Sequence, residues 1–421
     1  MKIPSKKIGA VLGLWTAASL YQATAADWPQ WRGPQRNGIS EETGLAAEWP
    51  ASGPKLVWQI SDAGAGFSTP AVVGEYLYFL SNDGVENETI EARSATDGKK
   101  VWSTKLGKVG NPDQKPAYPA ARSTPTVDGS SIYALGSDGD LVCVGTADGK
   151  ILWQKSLRKD FGGEPGVWAY AESPLIDGDT LICTPGGKEA TVVALNKKTG
   201  ETIWKAALPD GDQAGYASAI VLETGGVKQY VQFLQKGLVG LDAKTGKLLW
   251  RYDKTSKNSP ANIPSPVAAD NAIYSASGRG GGGLVKIKAD QGALSADPVY
   301  AEMKLPSSIG GTVKIGDNLY GTGSTGLMCV DFASGKVLWQ DRSIGSASIL
   351  AADHRLYLHG ENGDVALVEA TPEGYREKGK FTPPNPPDRG SAKAWTYPVL
   401  ADGRLYIRDG GSLWCFDVKA K

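Results

Sequence analysis

The nine residues Asp242 to Trp250 read DAKTGKLLW, and the same frame returns as SATDGKKVW ending at Trp102, GTADGKILW at Trp153, NKKTGETIW at Trp204 and DFASGKVLW at Trp339. Each copy carries a Gly four places before its Trp, preceded by a small or polar turn residue. Counted from Trp58 through Trp250, the tryptophans follow one another at 44, 51, 51 and 46 residues. That spacing suits one four-stranded propeller blade and exceeds the shorter helical repeats.

The residues between the tryptophans support the blade. Before Trp153, Ser123 to Val127 reads STPTV, a short strand; Asp128-Gly129 is a turn, and Ile132 to Leu135 is a second strand. Leu141 to Val144 and Ile151 to Gln154 supply two more, each introduced by an Asp-Gly pair whose tolerance of positive φ suits tight hairpins. Equivalent openings recur as STPAV at Ser68, ESPLI at Glu172, IPSPV at Ile263 and TYPVL at Thr396. The count is eight blades, with Tyr300 and Phe381 standing in the fifth and seventh where the closing Trp is missing.

The last blade runs out of chain after its third strand, Leu413 to Asp417, while Pro54 to Trp58 near the start is a strand without a blade. Pairing residues 55–60 with the last blade would close the ring and remove an exposed sheet edge. The expected fold is therefore all-β, an eight-bladed β-propeller of four-stranded antiparallel blades over residues 55–421. The tryptophans are assigned to packing between blades.

Ahead of the propeller, Lys2, Lys6 and Lys7 precede the apolar run Ile8 to Leu20 and the small residues Ala23-Thr24-Ala25. This has the form of a cleaved secretory signal over residues 1–26. The run is short for a membrane anchor, and Ala25-Ala26-Asp27 offers no Cys for lipidation. A periplasmic or extracellular single body is thus expected, a monomer with no integral membrane segment. Residues 27–54 form an extension, with Trp28, Trp31 and Trp49 expected to pin it across one face.

Lys plus Arg and Asp plus Glu both number 45, so no net field gathers a phosphate backbone, and nucleic acid is not an expected partner. Cys143, Cys329 and Cys415 stand where Ala194 and Gly240 stand in sister blades, so they read as small core residues; Cys183 lies in a second strand. All four are expected as free, buried thiols. His354 and His359 are the only histidines and offer little for a zinc site or a Ser-His-Asp triad. Arg279 to Gly283 reads as a flexible loop, since no Lys-Ser/Thr follows it, and Thr382 to Asp388 reads as a proline-rich linker.

The STP and ESP openings together with the DAKTGKxxW closings resemble the pyrroloquinoline quinone (PQQ) repeat family from Leu56 to Lys421. The leader DWPQWRGPQRNGIS, Asp27 to Ser40, is similar to the start of many uncharacterised secreted propellers of that family. The family includes quinoprotein alcohol and glucose dehydrogenases, and also a propeller lipoprotein that assists outer-membrane β-barrel assembly without binding quinone. The resemblance thus implies two kinds of function on one fold.

Loops feeding the innermost strands converge on one mouth of the channel, so residues just before those strands are the candidate site. They are Ser68, Arg122, Glu172, Tyr216, Ser218, Asn262 and Tyr397, with Trp168, Tyr170 and Trp395 in longer loops. In quinoproteins such positions supply an Arg over the quinone and Glu and Asn ligands for calcium, which Arg122, Glu172 and Asn262 would echo. Against this, the chain has no adjacent Cys pair and no aromatic floor legible in its sequence, and Ser307 to Gly310 stands where a catalytic Asp would be needed. The expected function is a non-catalytic binding or assembly module for a protein or extended peptide, with no cofactor. The alternatives are a PQQ- and calcium-dependent alcohol or sugar dehydrogenase and a carbohydrate-binding propeller.

Overall fold

In the computed structural model each inner hairpin turns where the sequence permits positive φ: Asp270-Asn271, Asp353-His354 and Asp402-Gly403 are successive left-handed pairs. Such pairs twist with the strands they join. The structure describes residues 27–113, 118–209, 211–257 and 259–420; the expected signal segment lies outside them. Among these residues there are eight four-stranded antiparallel sheets, one of which gains a fifth strand from the leader. Among them also, no helix is long and apolar enough to cross a membrane.

Blade one comprises Ala71–Val73, Tyr76–Asp83, Asn87–Ser94 and Lys100–Gly107, from channel to rim. The innermost strands of the next six are Thr126–Asp128, Leu175–Asp177, Ile220–Thr224, Val267–Ala269, Thr312–Ile315 and Ala347–Ala352. Blade eight is Val399–Ala401, Arg404–Asp409 and Ser412–Asp417, completed by Lys55–Ile60 from the other end of the chain. That last pairing is antiparallel, with Lys55 opposite Asp417 and Trp58 opposite Cys415. The ring is closed as the sequence predicts.

The recurring Trp works as an interlock. Trp102 Nε1 donates to Thr146 O of the next blade at 3.0 Å, Trp153 to Lys197 O at 2.9 Å, and Trp204 to Ala243 O at 3.2 Å. Trp339 and Tyr300 reach Thr371 O and Phe332 O in the same way. The rings of Trp102, Trp153, Trp204 and Tyr300 lie on the next blade's turn glycine, whereas Trp339 packs on Tyr375: at Gly149, φ is 68° and a Cβ would sit 2.4 Å from the Trp102 ring. The Gly of the repeat is therefore fixed twice, by its backbone and by the ring above it. Trp250 departs from the pattern, donating to Gln229 Oε1 within its own blade. Directly opposite these rings stand Cys143, Ala194, Gly240, Cys329 and Cys415, small residues that leave them room. The four cysteines are free and buried.

Three expectations are corrected. In blade seven the position opposite Leu367 is Gly379, not Phe381, and the missing ring arrives from the leader. Trp49 donates through its backbone N–H to Lys378 O and packs on Tyr357 and Phe381, with its Cβ 2.7 Å from where a Gly379 Cβ would be. Trp49 is thus supplied to the outermost strand of blade seven by a distant part of the same chain, whereas Trp28 pairs with an innermost strand. Finally, Gly281–Gly283 opens the third strand of blade five, Gly281–Asp290, and is no loop. A Cβ on Gly282 would lie 1.9 Å from Tyr274 Oη, which accounts for the absence of side chains there.

Candidate functional site

The leader decides the shape of the channel. Trp28 exchanges two backbone hydrogen bonds with Val72 of blade one, and Pro29 O accepts from Val127 N of blade two. Arg36 donates to Ser173 O and Pro174 O of blade three and to Ala219 O of blade four. Trp31 Nε1 donates to Ser265 Oγ of blade five, Arg32 to Thr312 O of blade six, and Ile39–Ser40 pairs in parallel with blade seven. Residues 28–40 are therefore a plug, bonded to seven blades in turn.

On one side of the plug is a cavity of about 470 Å³. Its walls are mainly aromatic: Trp31 lies against Tyr397 with ring centroids 4.6 Å apart, Phe67 against Trp395 at 5.2 Å, and Trp168 against Tyr216 at 6.0 Å. Tyr118 meets the other side of Trp395 at 5.4 Å. The charged lining is Arg122, Glu361 and Lys393. Glu361 accepts from Trp395 Nε1 at 3.2 Å and lies 3.9 Å from Lys393 Nζ, so that pair is internally balanced. Arg122 stacks over Phe67 and donates to Tyr118 O, while its buried Nε has no hydrogen-bond partner. Burial lowers its pKa to about 10, which leaves it charged at neutral pH.

Of the residues singled out in the sequence, the structure brings Arg122, Trp168, Tyr216, Trp395 and Tyr397 together around this cavity. It does not bring Glu172, Asn262 or Tyr170 there. Glu172 is buried between blades, accepting from Thr184 N at 2.8 Å and Gln232 Nε2 at 3.1 Å. Burial pushes its pKa up to about 8. Asn262 Nδ2 donates to Leu234 O and Gln235 O, and Tyr170 Oη donates to Pro185 O inside the core between blades two and three. Ser68 and Ser218 are buried acceptors for Leu80 N and Ser173 N. A calcium ion would have to displace the N–H donors on both Glu172 oxygens, so this donor set does not fit the quinoprotein arrangement. Among the described residues no three His, Cys, Asp or Glu side chains gather into a metal cluster. His359 is buried with Nδ1 3.0 Å from Thr396 O, and burial lowers its pKa to about 4.

Phe67, Tyr118, Glu361, Lys393 and the floor residue Trp31 were not singled out by their positions in the repeat. Phe67 immediately precedes an STPAV opening, so its place was legible in principle. The role of Trp31 depends on where the leader goes, which no repeat records.

Beside the cavity, Glu88 ties blade one to blade two, accepting from Ser137 Oγ at 2.6 Å and Ser137 N at 2.9 Å. Burial pushes its pKa from 4.5 up to about 7. Ionisation therefore penalises the native state alone: nothing is lost below about pH 4.5, the penalty grows through the interval, and it is complete above about pH 7. Its ceiling is on the order of 3 kcal/mol. Glu88→Gln keeps an acceptor for Ser137 N and gains a donor for Ser137 Oγ. Urea unfolding at pH 5 and pH 8 should show a flatter pH dependence in the variant, and greater stability than the parent at pH 8. Equal losses at both pH values would contradict this account.

The known proteins similar to this chain divide along the same line as the function readings. A family model described as outer membrane protein assembly factor BamB matches residues 35–165 and 86–341. The chain is 25% identical to outer membrane protein assembly factor BamB of Burkholderia pseudomallei over 370 residues, 82% of each protein. It is 23% identical to polyvinylalcohol dehydrogenase of a Sphingopyxis species over 323 residues, 71% of this chain but 43% of that enzyme. The crystal structure of BamB from Moraxella catarrhalis superimposes with a TM-score of 0.62 at 15% identity, covering 86% of this chain and 99% of that one. With the matched segments spanning more than half of its length and eight blades of the expected form, the chain belongs to the PQQ-like repeat propeller family described by outer membrane protein assembly factor BamB.

Proposed function

We propose that the chain is an exported, non-catalytic binding module that holds a protein or extended peptide at the aromatic mouth of its channel. The observation that carries this reading is the cavity itself: a mainly aromatic lining that, among the described residues, holds no histidine and one carboxylate, Glu361, tied to Lys393 and Trp395. Such a surface offers large contact area at little cost in side-chain entropy, the character of an interface centre rather than of an acid–base site. The BamB-like relatives agree with an assembly role, and their names supply the class of partner, another protein.

Trp395 is the test residue because it touches both Phe67 and Tyr118 while remaining partly exposed. Panning the protein against a random decapeptide library should enrich binders, and Trp395→Ala should weaken them by about 1–3 kcal/mol with little change in thermal stability. An empty library with hits on a glycan array would favour the carbohydrate reading. The dehydrogenase reading draws on the polyvinylalcohol dehydrogenase relative; dye reduction with alcohols or sugars, after incubation with pyrroloquinoline quinone and calcium, would establish it and overturn the binding module.

A further inference from the structure

We propose that the cavity receives the C-terminus of a peptide chain, with Arg122 bonding the terminal carboxylate and the rings holding the last side chains. The proposal rests on the binding-module reading and says which part of a partner enters.

Because residues 28–40 are hydrogen-bonded to seven blades on or just before their inner strands, the channel is stopped below Trp31, and a second hollow lies on the far side of the plug around Gln30, Pro34 and Arg36. An extended segment cannot thread a stopped channel. Whatever goes deep must be a side chain or a chain end.

A chain end brings either an ammonium or a carboxylate. The one carboxylate in the lining among the described residues, Glu361, is already held by Lys393 and Trp395. Arg122 is the opposite case: among the described residues its hydrogen-bond partner is the Tyr118 carbonyl, and its buried Nε has none. The nearby acid that interacts with it, Glu88, spends its oxygens on Ser137. A guanidinium with unused donors, stacked on Phe67 in a largely apolar hollow, matches the planar fork of a carboxylate. Its volume of about 470 Å³ lies within the range of pockets that enclose small ligands.

The probe is a random hexapeptide library made twice, with free-acid and with amidated C-termini, panned against the full protein and read by mass spectrometry. The free-acid library should be enriched at least about tenfold over the amide, with apolar or aromatic last residues. Arg122→Gln should erase that preference and Arg122→Lys should restore part of it. Equal enrichment of acids and amides, or a preference that survives Arg122→Gln, overturns the proposal while leaving the binding module standing. Recovery of neither library counts against both. Should Arg122→Gln fail to fold, the acid-to-amide ratio on the parent and on Arg122→Lys decides.

Discussion

Replacing Trp58 by alanine is expected to cost about 3–5 kcal/mol and to free the N-terminal segment of the ring. The ring of Trp58 is buried, lies 6.0 Å from Tyr406, covers Gly98 and donates to Ala95 O of blade one at 2.9 Å. Trp204 is comparably buried and makes the same inter-blade bond, but its blade is one continuous stretch of chain. Blade eight is different, because Lys55–Ile60 is held to Ser412–Asp417 without a covalent link close by. Losing Trp204 therefore loosens a contact, whereas losing Trp58 also weakens the seam that hides the edge of blade eight. Thermal unfolding should show a lower midpoint for both variants. Limited proteolysis followed by mass spectrometry should show early cutting within residues 27–60 for Trp58→Ala alone. The same cleavage pattern in both variants would mean that the seam is no weaker than any other inter-blade contact.

Blade number, closure and the interlocking tryptophans were legible because they repeat. A residue type that returns in one frame reports a shared backbone environment, and the DAKTGKLLW frame fixed both the turn and the ring lying over it. Blade seven shows where this stops: the repeat points to Phe381, and only the folded chain reveals that Gly379 holds the position with Trp49 against it. The site was legible in part for the same reason. Arg122, Tyr216 and Tyr397 lie near the openings of inner strands, and the fold carries those positions to one mouth. Glu172 and Asn262 occupy similar positions but turn into the body of the ring, since each finds backbone partners there. Side-chain direction at a strand's start is set by local hydrogen bonding, and periodicity does not encode it.

Arg36→Met is expected to be the most damaging single change in the leader, costing about 3–5 kcal/mol, even though the new side chain is apolar and of similar length. Arg36 is buried with positive φ, and its guanidinium serves Ser173 O, Pro174 O and Ala219 O, along with Gln30 Oε1. Pro174 O would keep Thr126 Oγ1 as a donor, but the carbonyls of Ser173 and Ala219 would lose the bonds Arg36 makes to them, at about 1–3 kcal/mol each. Burial has already lowered the pKa of Arg36 to about 10, with Glu172 opposing that shift, so the charge is tolerated only because its donors are used. Arg36→Lys should recover little, since an ammonium cannot span two blades in the planar geometry that three carbonyls and an amide require. The consequence reaches the mouth. With the plug loosened, Trp31 loses its fixed place beneath the cavity, so peptide binding should fall together with stability in Arg36→Met. In Trp395→Ala binding should fall alone. Calorimetry of unfolding and peptide titration on both variants separates the two cases. A stable Arg36→Met protein that binds peptide as the parent does would show that the plug is dispensable and that the channel need not be stopped for the mouth to work.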